Sequence, residues 1–110
     1  MTKSVHFTGT VHATSEAEAF TGGNGSDTVT YIDADALVTA SLADPTVNTG
    51  WAQGDTYSSV ENLTGTQYQD VLYGNGSANV LDGAGSADTI HAGNGNDTVL
   101  GGGRVGLAIW

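Results

Sequence analysis

The chain has 110 residues, a formal net charge of −10 and no cysteine. With only two Lys or Arg residues, it is unsuited to binding nucleic-acid phosphates or an anionic membrane surface, whereas a cationic partner fits well. The absence of cysteine excludes disulfides and thiolate metal sites. Seventeen glycines and few large apolar residues argue against a thick globular core.

Residues 1–12 alternate between apolar and polar side chains, which predicts a strand. His6 and His12 would lie about 20 Å apart on one extended strand, too far to share a metal ion. We therefore interpret both as ordinary strand residues rather than as a metal site.

Residues 13–21 are predicted to form a degraded repeat that lacks the glycines of the block after it. Glu18 stands where that block has an aspartate, and Phe20 stands at its aliphatic position. A short helix over residues 16–20 is the alternative, because Ala and Glu favour helix.

Residues 22–30 read GGNGSDTVT and match every defined position of the pattern GGxGxDxUx, where U is a large aliphatic residue. We expect Asp27 to supply a carboxylate to a cation and Val29 to point inward. A flexible Gly/Asn/Ser linker is the alternative, which the in-phase blocks further along the chain disfavour. The backbone carbonyls predicted as further ligands belong to Gly22, Asn24 and Gly25.

Residues 31–64 interrupt the nine-residue period. Trp51 and Tyr57 fall in this interruption, where they could cap the side of the fold or stack on sugar rings, and we favour capping. Alternation of apolar and polar residues predicts the end of a strand at 31–32 and further strands at 37–43 and 55–63. A turn is predicted at 33–36, and Pro and Gly residues predict a loop at 44–54.

Five blocks of nine residues follow from Gly65: GTQYQDVLY, GNGSANVLD, GAGSADTIH, AGNGNDTVL and GGGRVGLAI. Six Gly-rich residues predict a turn and the next three a short strand, so two blocks make one coil. Rungs lie about 4.8 Å apart, and a Ca–O bond is about 2.4 Å, so an ion between two rungs can reach both. Turns stacking on one side would be 65–70, 83–88 and 101–106, and on the other 74–79 and 92–97. The inward residues are predicted to be Leu72, Leu81, Ile90 and Val99.

The stacked turns predict three ion positions with unequal affinities. Asp70 and Asp88 would share one ion, whereas Asn79 would give only a neutral oxygen beside Asp97 at the second. The third would combine Asp88 with carbonyls of 101–103. Carboxylate, amide and carbonyl oxygens are hard ligands that suit Ca²⁺ over zinc or copper. The glycines predicted to contribute ligands in these turns are Gly83, Gly85, Gly93, Gly95, Gly101 and Gly103.

These blocks resemble the calcium-binding repeats of RTX (hemolysin-type) secreted bacterial proteins, including the repeat modules of mannuronan C-5 epimerases. The resemblance covers roughly residues 13–106. It implies an all-β fold, a right-handed parallel β-roll or β-solenoid of about five to six rungs, with one rung widened by a loop insertion. The whole chain, 1–110, would be one domain with several Ca²⁺ ions. Its parts would be degraded rungs at 1–21, the first full motif and longer rungs at 22–64, and the regular array and open end at 65–110.

The predicted function is that of a calcium-binding module that folds when Ca²⁺ binds. The resemblance implies a type I-secreted, extracellular protein, and the N-terminus lacks the apolar segment of a Sec signal peptide. The alternative is an accessory polysaccharide-binding module of an alginate-type epimerase, a lyase or an adhesin. No catalytic group and no membrane-spanning run are predicted.

The C-terminal residues 107–110, LAIW, are predicted to leave an open strand edge. We expect that edge to contact a second copy of the chain or an adjoining module. A poorly matching secretion signal and an isolated fragment are further interpretations of the same residues, and the sequence leaves both open.

Overall fold

The computed structural model describes residues 3–85, 88–93 and 95–100, and the backbone of 108–109. Almost every regular element in these residues is a β-strand of two to four residues, and two 3₁₀ turns, Pro45–Val47 and Gly50–Ala52, are the exceptions. The strands are β1 Lys3–His6, β2 Thr10–His12, β3 Glu18–Thr21, β4 Thr28–Thr30, β5 Thr39–Ser41, β6 Thr56–Ser58, β7 Asn62–Thr64, β8 Val71–Tyr73, β9 Val80–Asp82, β10 Thr89–His91, β11 Thr98–Leu100 and β12 Ala108–Ile109.

The described strands form three sheets, and all of their pairings are parallel. One sheet has the order β11-β9-β7-β4-β2, a second β1-β3-β6 and a third β12-β10-β8-β5. Apart from the excursion through β5, the chain passes alternately between the first sheet and one of the other two. This coil is the predicted all-β parallel β-roll, with the wall opposite the five-stranded sheet divided in two.

The regular array repeats every 18 residues. Its strands β8 to β11 have three residues each, and the middle one points inward because successive side chains alternate between faces. Leu72, Leu81 and Ile90 are fully buried, and Val99 is partly buried against the same core. The predicted inward ladder is therefore confirmed, and each fully buried member contributes about 1.5–3 kcal/mol of transfer free energy.

Residues 18–21 form a strand, β3, so the helix alternative for 16–20 is wrong. Phe20 is 1% exposed, and its ring lies edge-on to Phe7 and stacks on Tyr57. Burying this aromatic ring between neighbouring rungs outweighs the weak helix propensity of Ala and Glu, which tertiary packing commonly overrides. The degraded block is a rung of the roll.

The interruption of the period is an insertion between β4 and β6. The predicted strand at 31–32 is wrong, because β4 ends at Thr30, and the predicted strand at 55–63 is two strands, β6 and β7. Ser59 has a positive φ of 56° and turns the chain between them. Within the predicted strand at 37–43 only β5 forms, and it pairs with β8. The insertion therefore widens one rung, to a step of 34 residues between β4 and β7.

A buried polar cluster fastens the insertion to the roll. The Tyr31 hydroxyl donates to Asp55 Oδ2 at 2.7 Å and lies 2.6 Å from the Tyr57 hydroxyl, which also accepts from Asn48 Nδ2 at 3.1 Å. The Glu18 backbone N–H donates to Asp55 Oδ1 at 2.7 Å. Burial raises the pKa of Asp55 to about 7, although the bonds from Tyr31 and Glu18 partly offset that effect. Both oxygens of the Asp55 carboxylate therefore accept hydrogen bonds from other residues of the protein.

The last described strand, β12, pairs with β10. Thr89 lies opposite Ala108, one residue beyond the 18-residue step of the array. Leu107 and Trp110 lie outside the described residues, as do Gly101 and Gly103, so the expectations for them remain predictions. Among the described residues, no helix is long and apolar enough to cross a membrane.

Candidate metal centre

The sixth residue of the repeat links neighbouring rungs. In three repeats, those with Asp27, Asp88 and Asp97 at this position, its side-chain oxygen accepts a hydrogen bond from the backbone N–H of the residue 18 positions earlier, at 2.8–2.9 Å. This bond brings together the two pairs that the sequence predicts to share ions, and it also places a third carboxylate against the N-terminal rung. The donor and acceptor residues are Asp70 and Asp88, Asn79 and Asp97, and Gly9 and Asp27.

Two of these carboxylates keep one oxygen that accepts no hydrogen bond from the described part of the chain. Asp27 Oδ2 and Asp88 Oδ2 are buried and have no hydrogen-bond partner among the described residues, and both residues are at most 1% exposed. Burial raises the pKa of Asp88 to about 6, an effect strengthened by the nearby Asp70 charge and opposed by the bond from the Asp70 N–H. An unpaired buried carboxylate is costly, so each of these oxygens requires a cation or a proton.

Glycine at the first turn position leaves room for these oxygens. A methyl group on Gly22 would overlap the Ser59 carbonyl oxygen and lie 2.6 Å from Asp27 Oδ2. A methyl group on Gly83 would overlap Asp88 Oδ2 in the same way. Gly22 and Gly83 therefore exclude a side chain because the sixth-position carboxylate folds back over each of them, whereas Ala92 occupies the first position of its own block.

Turns 74–79 and 92–97 stack with backbone oxygens between them. A methyl group on Gly95 would lie 2.7 Å from the Ser77 carbonyl oxygen, and one on Gly93 would lie 3.3 Å from that of Asn75. Gly95 has a φ of +103°, a conformation that only glycine adopts readily. Carbonyl oxygens of both turns therefore lie along this stack together with the Asp97 carboxylate, and the ligand roles predicted for them stay predictions.

Asn79 supplies more than the neutral oxygen predicted for it. Its Oδ1 accepts from the Asn75 N–H at 3.1 Å, while its Nδ2 donates to the Glu61 carbonyl at 2.7 Å and to Asn75 Oδ1 at 3.1 Å. A methyl group on Gly74 would lie 2.7 Å from Asn79 Oδ1 and 2.6 Å from the Ala92 carbonyl oxygen. The oxygen thus faces the next turn, and the amide nitrogen fills the gap to the previous one.

Asp70 differs from its predicted partner Asp88. Its Oδ1 accepts from the Thr66 hydroxyl and the Val38 N–H, and its Oδ2 accepts from the Thr66 N–H. Burial raises the pKa of Asp70, and these hydrogen bonds oppose the increase. Protein donors therefore already stabilise Asp70, so the two carboxylates of this pair would contribute unequally to an ion site.

Glu61 makes the same kind of carboxylate-to-backbone hydrogen bond between rungs, and the sequence analysis did not predict it. Its Oε1 accepts from the Asp27 N–H at 2.8 Å, as Asp88 accepts from Asp70. The sequence contained the signal, because Glu61 lies nine positions before Asp70 and the aliphatic Leu63 follows two positions later. Leu63 is fully buried in the structure. Interpreting 55–63 as one continuous strand concealed the turn.

The donor set suits calcium. Within the described ranges no three His, Cys, Asp or Glu side chains come together, so an ion would combine one or two carboxylates with backbone carbonyls. Ca²⁺ accepts six to eight oxygens of this mixed kind in flexible geometry. The two buried Asp oxygens that lack a donor in the described ranges, and the glycine-lined spaces beside them, fit such an ion, which would supply the missing positive charge.

Stacked glycine turns carrying buried carboxylates on a parallel β-roll define a class of ion-binding repeat protein. A model of the RTX calcium-binding nonapeptide repeat, in four copies, matches residues 55–89 and 73–103. The chain therefore carries RTX calcium-binding repeats, as the sequence blocks predict. Such repeats bind calcium, are typically structural rather than catalytic, and are typical of secreted proteins. No curated protein matches the chain.

Proposed function

We propose that this protein is a calcium-dependent module that folds when Ca²⁺ binds, and that it is part of, or derived from, an extracellular protein exported by a type I system. The observation that carries this proposal is the pair of buried oxygens, Asp27 Oδ2 and Asp88 Oδ2, for which residues 3–85, 88–93 and 95–100 provide no donor. Such oxygens need a cation or a proton beside them, and bound calcium would supply the cation at a pH where the carboxyls are ionised.

The energies are large enough to decide folding. Two carboxylates about 4.8 Å apart repel by about 1 kcal/mol in water and about 3 kcal/mol at an effective dielectric constant near 20. A site whose calcium concentration is about tenfold above its Kd adds about 1.4 kcal/mol to stability. Small domains are stable by only about 5–15 kcal/mol, so three or four such sites would control the fold.

Calcium gradients explain why export suits this chemistry. In a low-calcium cytosol, a chain with net charge −10 and a thin core would stay unfolded, which is the form that a type I system exports. Extracellular sites bind calcium at roughly 0.1–1 mM, so the exported chain would fold outside the cell.

The proposed ligands come from the turns rather than the strands. Carboxylates would anchor each ion, and turn carbonyls would complete its coordination. The residues proposed are Gly22, Asn24, Gly25, Asp27, Asp70, Asn79, Gly83, Gly85, Asp88, Gly93, Gly95 and Asp97, with Gly101 and Gly103 proposed from the sequence alone.

The test is circular dichroism during calcium titration, with reversal by EDTA. We expect β-structure to appear with calcium and to disappear with EDTA, and Asp27→Ala and Asp97→Ala to raise the calcium midpoint. Asp35→Ala, which removes an exposed carboxylate from the insertion, is the matched control and should leave the midpoint unchanged. Full folding of the wild type in EDTA would refute metal-coupled folding.

A polysaccharide-binding role remains the alternative, without an observation that favours it. The Tyr57 ring stacks on Phe20, and Trp51 packs partly against the core, so both aromatics have structural contacts. An open groove of about 360 Å³ lies beside the insertion, lined by parts of 45–48 and 53–56, and neither aromatic lines it. Alginate titration in saturating calcium, followed by tryptophan fluorescence, tests this role.

The predicted contact of the C-terminal edge with a second copy or an adjoining module also remains a proposal. Sedimentation in saturating calcium tests self-association, since a strict monomer would exclude the second copy.

A further inference from the structure

We propose that Asn24 is a site of spontaneous deamidation in the folded protein, and that the fold protects Asn75 from the same reaction. This modification is independent of the proposed function. The sequence has three Asn-Gly pairs, at 24–25, 75–76 and 94–95, and residue 94 lies outside the described part of the chain. The first two pairs stand in the same tetrapeptide, Gly-Asn-Gly-Ser, so a difference in their reactivity has to come from the fold.

The reaction needs only water as a co-reactant. The backbone nitrogen of Gly25 attacks the side-chain carbon Cγ of Asn24, and the Cγ–Nδ2 bond breaks as ammonia leaves with the Gly25 amide proton. Water then opens the cyclic imide at either carbonyl, which gives aspartate or isoaspartate. Glycine after the asparagine favours the attack because it has no side chain to obstruct it, and asparagine is among the thermolabile residues of proteins.

The first observation is the length of the turn that carries Asn24. This turn, 22–27 between β3 and β4, has six residues, whereas the turns of the two neighbouring rungs, 7–9 and 59–61, have three each. Residues 24–26 are exposed, and a methyl group on Gly25 would meet no atom within 4 Å. The turn is therefore longer than both of its neighbours, and its middle is open to water.

The second observation is a difference in hydrogen bonding. The Asn24 side chain makes no hydrogen bond to the residues that the structure describes. Asn75 is partly buried, and its Oδ1 accepts from the Ser77 N–H at 3.0 Å and from Asn79 Nδ2 at 3.1 Å. Cyclisation requires the side chain to rotate until Cγ meets the next backbone nitrogen, so at Asn75 these bonds have to break first.

The third observation is the six-residue turn 92–97, which lies against turn 74–79. A methyl group on Gly95 would lie 2.7 Å from the Ser77 carbonyl oxygen and 3.2 Å from that of Gly76. This stacking restricts the backbone of Gly76, the residue whose nitrogen would attack Asn75. Turn 22–27 has only the two short turns beside it, so Gly25 is not restricted in this way.

Either product would alter a turn that the proposed function assigns to calcium. Both carry a new carboxylate three residues before Asp27, and isoaspartate also lengthens the backbone of the turn by one carbon. Ageing of the folded protein would therefore change the charge and the geometry of this turn and leave turn 74–79 intact.

The test measures both rates in one sample of the wild type. The protein is incubated at mildly alkaline pH under conditions in which circular dichroism shows β-structure, then digested with chymotrypsin and analysed by mass spectrometry. Cleavage after aromatic and leucine residues separates 21–31, which carries Asn24, from 74–81, which carries Asn75. We expect Asn24 to convert at least about tenfold faster than Asn75, a ratio equivalent to about 1.4 kcal/mol. In urea, where the fold is lost, the two rates should become equal.

Equal rates in the folded protein, or a faster reaction at Asn75, would overturn the proposal, and so would a difference that persists in urea. Asn79→Asp tests the cause of protection, because a carboxylate cannot donate to Asn75 Oδ1. It should raise the rate at Asn75 at least about threefold and leave the rate at Asn24 unchanged. An unchanged rate at Asn75 would contradict protection by this hydrogen bond, and the wild-type comparison decides the proposal if the variant does not fold.

Discussion

Asp55 in the insertion and Asp88 in the array are both buried aspartates, but they differ in how many of their carboxylate oxygens accept hydrogen bonds. Asp55 receives the Tyr31 hydroxyl on one oxygen and the Glu18 N–H on the other. Asp88 receives the Asp70 N–H on one oxygen and no donor among the described residues on the second. Burial raises the pKa of both carboxyls, to about 7 for Asp55 and about 6 for Asp88.

This difference separates two ways of stabilising a thin roll. The insertion supplies large aromatic side chains and hydroxyl donors, so its polar groups are satisfied by the chain itself. The array has three-residue strands with one fully buried aliphatic residue each, and its turns leave charge uncompensated. We infer that the array depends on calcium more strongly than the part of the roll that the insertion supports.

The largest expected effect is on regional stability as calcium is withdrawn. Backbone amides of β10 and β11 should lose protection from hydrogen exchange at a higher calcium concentration than those of β3 and β6. Each site at about tenfold above its Kd is worth about 1.4 kcal/mol, or about a tenfold change in protection. Exchange followed by mass spectrometry at graded calcium measures this difference, and one shared midpoint would contradict it.

Asp55→Asn should change how stability depends on pH. The pKa of Asp55 is about 7 in the fold against an ordinary value of 3.8, so the folded state holds the proton more tightly. The wild type should therefore lose stability as pH rises from about 4 to about 7 and stay level above that, with a slope of at most about 1.4 kcal/mol per pH unit. Asparagine carries no charge, so the variant should gain stability over the wild type through the same window.

Urea unfolding in saturating calcium at several pH values measures that gain, because effects of acid on the calcium ligands are common to both proteins. The asparagine amide can donate to the Tyr31 hydroxyl while its oxygen accepts from the Glu18 N–H, so the cluster can persist. Asp35→Asn, an exposed substitution, is the control. A stability difference that does not vary with pH would show that the Asp55 charge is not destabilising.

Asp88→Asn should act in opposite directions at high and low calcium. With calcium, it removes an anionic ligand and should cost about 1.4 kcal/mol at concentrations about tenfold above Kd. Without calcium, it removes a buried charge beside Asp70 and should gain about 1 kcal/mol. Urea unfolding at several fixed calcium concentrations should show the variant and wild-type stabilities crossing, and parallel curves would contradict a ligand role.

The regular half of the fold was predictable because its chemistry is local. The nine-residue period places an aspartate and an aliphatic residue at fixed positions, and the 18-residue coil follows from it. That reasoning located the inward Leu72, Leu81 and Ile90 and the pairing of Asp70 with Asp88. The same register extended backwards would also have located Glu61.

The insertion could not be predicted in this way, because its contacts join residues far apart in sequence. Tyr31 and Asp55 are 24 residues apart, and Val38 reaches Asp70 across 32. No period or motif in the sequence specifies such pairs. The bond from the Val38 N–H to Asp70 was therefore not predictable, although the other two donors to Asp70 belong to Thr66, only four residues away. The sequence analysis consequently assigned Asp70 the same role as Asp88.

Asn79→Asp has a smaller expected effect. It tests whether a turn whose polar groups are hydrogen-bonded within the chain can be made to depend on calcium. The Asn79 amide nitrogen donates to the Glu61 carbonyl and to Asn75 Oδ1, and a carboxylate can make neither bond. At low calcium the variant should be less stable by about 1–2 kcal/mol. With calcium, the new charge beside Asp97 should strengthen binding in this gap, so stability should rise more steeply with calcium than in the wild type.

Asn75→Asp is the matched control for that substitution. It adds the same charge to the same turn and keeps an acceptor for the Asn79 amide and the Ser77 N–H. Its loss of stability at low calcium should therefore be smaller, as measured by urea unfolding at graded calcium. Equal losses would mean that added charge alone destabilises the turn, and the amide nitrogen of Asn79 would then have no role in place of a cation.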